Sequence, residues 1–202
     1  SNSLLCRLAL RGGHIDAGLF TGVRLLSGAI ALALILAGRH RGAVKPKGNW
    51  ISALALFAYA APFSFAYLEL SVGAGALILF GSVQATMIGS DIYKGSRPPV
   101  SEWIGLLLAL AGLIGLTAPG VSAPDPLGSV FMAVAGIAWG IYSLRGKGSS
   151  DPLADTAGNF VVSVAFVIPL VGLTSTGWHI SEKGLLLAVA SGALASGVGY
   201  AV

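Results

Sequence analysis

The chain has 202 residues, 55% of them hydrophobic and only 10% charged, with a mean hydropathy of +0.84. A soluble domain carries about 25% charged residues, so a disordered chain, a nucleic-acid binder and an ordinary soluble enzyme are excluded, and a polytopic membrane protein remains. The formal charge of +4 is spread between apolar runs, where it reports membrane topology rather than a nucleic-acid partner.

A bilayer core of about 30 Å needs about 20 apolar helical residues. Residues 1–10 read as the last turns of a helix whose start lies upstream. Six runs of suitable length follow, at 17–38, 50–70, 72–93, 100–118, 126–144 and 154–176. A last run, 184–202, stops in mid-helix. The second and third runs are separated by almost nothing, which predicts a tight hairpin. The fold class expected is an all-α polytopic bundle, incomplete at both ends. The last segment, short of neighbours, is expected to leave a one-sided gap with polar or Gly-rich surface at membrane depth.

The joints alternate in charge. One set holds Arg39, Arg41, Lys45, Lys47, Lys94, Arg97, Arg145 and Lys147; the other holds Arg7, Arg11 and Lys183. Eight basic residues against three places the 39–47 loop in the cytoplasm.

A weak self-similarity appears at a shift of about 135 residues. Asp16-Ala17-Gly18-Leu19-Phe20-Thr21 stands opposite Asp151-Pro152-Leu153-Ala154-Asp155-Thr156, Arg24 opposite Asn159, and Phe65-Ala66-Tyr67 opposite Val198-Gly199-Tyr200. The shift spans five segments, an odd number, so the copies run oppositely through the membrane. The division is 1–120 for the first copy and 121–202 for an incomplete second. Inverted repeats place a transporter's site at their interface near mid-membrane.

Several stretches together resemble the EamA-type ten-helix members of the drug/metabolite transporter superfamily. These are Phe20 to Ala29 with Arg24 early in its helix, the passage Phe65 to Leu77, the Gly-rich Gly105 to Gly115 after Trp103, and Ala135 to Tyr142. Where many members carry Ser-x-x-Pro in the fourth helix, this chain reads Ser82-Val83-Gln84-Ala85-Thr86-Met87 without proline. The resemblance implies a secondary transporter in the cytoplasmic membrane that moves a small organic metabolite, an exporter, by alternating access. The alternative is a non-transporting membrane subunit or assembly scaffold.

Arg24 lies roughly 10–12 Å into its helix, where an unpaired cation costs roughly 2.5–3.5 kcal/mol. It therefore faces protein or a wet cavity, where it contacts an anion or carboxylate, or else it snorkels to the outer interface or pairs with Glu69. Gln84 and Asn159 are amides within apolar runs and face the bundle for the same reason. Tyr59, Tyr67, Trp139, Tyr142 and Tyr200 offer flat apolar faces with polar tips. The substrate-cavity set is Arg24, Tyr67, Gln84, Trp139, Asn159 and Tyr200. Glu69 reads as a solvated turn residue; Trp50, Trp103 and Trp178 read as interfacial belts. The small-residue patterns Gly136-x-x-x-Gly140 and Gly81-x-x-x-Ala85-x-x-x-Gly89 suit close helix packing. No nucleotide-binding loop, hydrolase elbow or zinc-protease motif occurs. A lone Cys6 excludes an internal disulfide. No cofactor or metal is implied, and the partners are a metabolite, the lipid bilayer and, left open, a second copy in a homodimer.

Overall fold

The computed structural model describes residues 2–39, 47–116, 124–174 and 179–199. Among them the chain is all helical: α1 (Asn2–Arg11), α2 (Ala17–Arg39), α3 (Trp50–Glu69), α4 (Val72–Tyr93), α5 (Val100–Leu116), α6 (Pro126–Gly146) and α7 (Pro152–Thr174). The eighth, α8, starts as Glu182–Ala190 and continues in wide π-helical turns over Ser191–Val198. Five of these, α2, α3, α4, α6 and α7, are long and apolar enough to cross a membrane. The protein is a polytopic helical membrane protein.

Each start has a local cause. Asn49 accepts from the Ile51 and Ser52 N–H groups, Ser71 from Ala74, Asp125 from Gly128, Asp151 from Ala154 and Ser181 from Gly184. These caps satisfy N–H groups that a helix leaves unpaired. Pro126 and Pro152 occupy first turns, where a missing N–H costs nothing. Gly95 and Gly148 follow α4 and α6 with φ of 77° and 83°, a conformation open to glycine at little cost. The hairpin between α3 and α4 is only two residues, Leu70 and Ser71, as the sequence predicts.

Register contacts give the helix directions. The Thr21 and Ser64 hydroxyls meet at 2.8 Å and Arg24 meets Tyr59 at 2.9 Å, so α2 and α3 are antiparallel. Arg145 reaches Ser52 while Gly128 abuts Leu70, so α3 and α6 are antiparallel too. Gly136 faces Leu79 and Ser82, and Gly140 faces Thr86, so α4 and α6 are parallel. These directions gather Arg39, Lys47, Lys94, Arg97, Arg145 and Lys147 at one end and Arg11 and Lys183 at the other. Arg41 and Lys45 lie outside the described residues. Arg7 is not a joint residue: it is buried within α1 and donates to the Tyr67 and Leu68 carbonyls, closing the C-terminal end of α3.

The core lies along α2, α3 and α6, where Phe20, Leu25, Leu32, Leu56, Phe63 and Met132 are buried. Leu34, Phe80, Leu107, Leu108, Ile168 and Leu173 point outward and are exposed, as a hydrocarbon solvent requires. Among the described residues α5 packs chiefly on α4 and is largely exposed.

Of the expected polar or Gly-rich surface on the last segment, only Gly199 is exposed among the described residues from Ser191 onward. Ser191 and Ser196 are buried, Gly192 lies against the Arg24 carbonyl and Ser27, and Gly197 lies against Ala31. Gly192 and Gly197 are covered by α2 and Ser191 bonds Asn2 of α1, while Leu185, Leu186 and Leu194 face outward and Gly199, at the end of the described segment, is exposed. The pattern Gly81-x-x-x-Ala85-x-x-x-Gly89 also fails as a close seam: a Cβ on Gly89 would meet open space.

Candidate functional site

Arg24 is 2% exposed. Its Nη2 donates to the Tyr59 hydroxyl at 2.9 Å, and its guanidinium carbon stands 5.1 Å from the Tyr59 ring centre and 4.9 Å from that of Phe63. Two aromatic faces and a hydroxyl replace the water a cation loses at this depth. Tyr59 and Phe63 are four apart on α3, so one helical face presents both.

From Tyr59 the aromatic contacts run onward. The Trp139 ring lies 4.9 Å from Tyr59, and Tyr142 stacks on Trp139 at 5.5 Å. The Asn159 amide, 6% exposed, donates to the Tyr142 hydroxyl at 3.5 Å. Its carbonyl accepts the Asn49 backbone N–H at 2.9 Å. Arg24, Trp139 and Asn159 are thus brought onto one chain of contacts that crosses α2, α3, α6 and α7.

Two cavities adjoin this chain. The inner one, about 220 Å³, lies at the basic end of the bundle. Asn49 and Ser52 from the start of α3, Trp139, Tyr142 and Ser143 from α6, and Asn159 from α7 line it. Its rim carries Lys47, and Asp155, whose carboxylate accepts the Ser149 hydroxyl at 2.5 Å. Arg145 donates to Ser52 at 3.1 Å and to Asn49 at 3.2 Å, tying the end of α6 to the start of α3. The second cavity, about 320 Å³, lies in the opposite half and is lined by Asn2 and Ser3, by Tyr59, Phe63 and Trp139, and by α4 residues including Ala76 and Leu79. Trp139 lines both.

The remaining sequence candidates sit elsewhere. Tyr67 is fully buried on the outer part of α3, edge-on to Phe63 at 4.9 Å, and lines neither cavity. Gln84 is half-buried on α4 and also lines neither. Tyr200 and Trp178 lie outside the described residues. Arg24 bonds Tyr59 and lines neither of the two cavities. Glu69 is exposed at the hairpin, as expected. Sequence reasoning missed Asn49 and Ser52. Their position directly before and within the first turn of an apolar run was the available signal.

The two halves are also stitched at both ends. At the basic end, Lys47 N–H donates to the Ala154 carbonyl at 3.1 Å, and Gly48 lies so close to Gly158 that a Cβ on Gly48 would fall 2.6 Å from the Gly158 oxygen. At the other end, Asp16 N–H donates to the His179 carbonyl at 3.2 Å, His179 N–H to the Asp16 carboxylate at 3.1 Å, and Ser181 N–H to the His14 carbonyl at 2.8 Å.

Comparisons with known proteins agree with this architecture. The model of the EamA-like transporter family matches residues 1–118. The uncharacterized protein PA1977 of Pseudomonas aeruginosa is 49% identical over 201 residues, covering all of this chain and 70% of that one. The uncharacterized transporter YwfM of Bacillus subtilis is 28% identical over 194 residues, 90% of this chain and 64% of that one. The uncharacterized inner membrane transporter YedA of Escherichia coli K12 is 31% identical over 99 residues, 49% of this chain and 30% of that one. A solved crystal structure superposes with a TM-score of 0.71 over 98% of this chain and 73% of its own, at 19% identity, and so shares the fold. With its multiple membrane-spanning helices and a family match over more than half its length, the chain belongs to the EamA-like transporter family of the drug/metabolite transporter superfamily, a transporter and not an enzyme family.

Proposed function

We propose that the full protein is a secondary transporter that carries a small organic metabolite out of the cell across the cytoplasmic membrane by alternating access. The observation that carries this reading is the inner cavity, whose polar lining comes from both halves of the chain. Asn49 and Ser52 belong to the first half; Tyr142, Ser143 and Asn159 belong to the second. A scaffold or assembly subunit has no need of such a lining and would fill its centre with Leu, Ala and Gly.

The division into inverted copies, 1–120 and 121–202, is part of the proposal, and the helix contacts support it. Moving each helix five places along exchanges α3·α6 with α8·α1 and α2·α8 with α7·α3, and all four pairs are in contact. The two stitched ends are exchanged in the same way: the lead into α3 meets the start of α7, and the lead into α8 meets the start of α2. Trp139 and Asn159 contact the substrate in this reading, and Arg24 acts through Tyr59.

The test compares metabolite levels inside and outside cells with and without the full-length gene, followed by flux in liposomes. Export predicts that cells lacking the protein retain one metabolite class, and that Asn159→Ala lowers its efflux at least tenfold. Identical metabolite distributions in both strains, with no saturable flux in liposomes, would overturn the reading.

A further inference from the structure

We propose that Trp139 is a size-determining partition between the two cavities, so that the bulk of its indole sets what passes from the basic end into the opposite half of the bundle. The inference rests on the transport reading of the same site and goes beyond it by naming the constriction. Trp139 lines both cavities, and among the described residues no other does so. Its ring is in contact with Tyr59, 4.9 Å away and tilted, and with the stacked Tyr142 at 5.5 Å.

The two sides of this partition are held differently. Trp139 rides on α6 between Gly136 and Gly140, and both glycines are pressed onto α4. A Cβ on Gly136 would fall 2.6 Å from the Leu79 carbonyl oxygen, and one on Gly140 2.8 Å from Thr86. So close a seam leaves the indole fixed to the α4–α6 pair. Tyr59 rides on α3, whose interior contains Pro62. A proline removes one backbone hydrogen bond from the helix interior and makes it a site where the helix can bend. The partition therefore opens by displacement of Tyr59 against a stationary Trp139, and the gap that results is measured by the indole.

Thiol accessibility in the full-length protein tests this without knowledge of the substrate. All native cysteines are replaced, and single thiols are placed by Ser143→Cys on the inner cavity and Ala76→Cys on the second. Inside-out membrane vesicles are treated at the basic face with two charged, impermeant reagents, a small alkyl methanethiosulfonate and a bulky sulfonated-dye maleimide. Ser143→Cys should react with both in every background. Ala76→Cys should be at least tenfold slower than Ser143→Cys in the parent, accelerate toward the small reagent alone with Trp139→Phe, and toward both with Trp139→Ala. If Ser143→Cys labelling shows that Trp139→Ala has not folded, Tyr59→Ala removes the other leaf and must give the same acceleration. Equal labelling of the two positions in the parent, or no acceleration in any folded variant, overturns the proposal. The assay reads access and not flux, so it can fail while metabolite transport is demonstrated, and it can succeed where transport is not.

Discussion

At the scale of single residues, the cost of a buried cation is met by aromatic faces. Arg24 could have been a bare charge awaiting an anion; its planar guanidinium lies against two rings and bonds one hydroxyl. Lysine has no planar face to offer in this position. Arg24→Lys and Tyr59→Phe are each expected to destabilise the full-length protein by about 1–2 kcal/mol, the upper range for polar bonds between membrane helices. Because both changes break the same contact, the double variant should cost less than the sum of the two. Thermal unfolding of the purified protein in detergent measures all three, and strictly additive losses would mean that the two side chains act independently. The depth and burial of Arg24 were legible from its place in an apolar run. Its partner was not, because Tyr59 lies 35 positions away and only the α2–α3 register brings them together.

Among elements, helix spacing was the most legible property and the choice of facing surfaces the least. The runs 17–38 and 72–93 match α2 and α4 within a residue, since length and hydropathy alone decide what fits a bilayer. The two small-residue patterns looked alike in sequence, yet only one is a seam. Gly136 and Gly140 meet α4 directly, whereas Gly89 faces open space. Which face of a helix turns inward depends on its neighbours, and a sequence of uniformly apolar faces carries little periodicity to reveal it. Gly136→Ala should therefore destabilise the bundle by about 1–3 kcal/mol through overpacking. Gly89→Ala should be neutral or raise stability by about 0.5–1 kcal/mol, since alanine restricts the unfolded chain. Chemical denaturation of the two variants beside the parent distinguishes these outcomes. Similar losses in both would show that the α4–α6 contact is looser than its geometry.

For the whole molecule, the alternation of basic residues and the antiparallel register agree on two chemically different ends. Lys147 and Lys183 are exposed at opposite ends. A thiol introduced by Lys183→Cys should be labelled by an impermeant reagent applied outside intact cells, and one introduced by Lys147→Cys only after permeabilisation. The reverse pattern would invert the assigned orientation. The candidate site was partly legible at this scale. Arg24, Trp139 and Asn159 fall on one chain of contacts, while Tyr67 and Gln84 do not line the cavities, because residue type gives polarity but not the side of the bundle a polar group faces. The bonds that stitch the end near Asp16 bear on how such a chain is made. His179 and Asp16 are 163 positions apart, and the small-residue face of α8 that covers the Arg24 carbonyl arrives equally late. During synthesis the part of α2 that α8 covers, at Ser27, Gly28 and Ala31, therefore stays open until the ribosome has delivered α8. Quality control during translation thus meets a half-built species, and substitutions at Gly192 or Ser181 should be felt first as lost yield rather than as altered traffic through the finished protein.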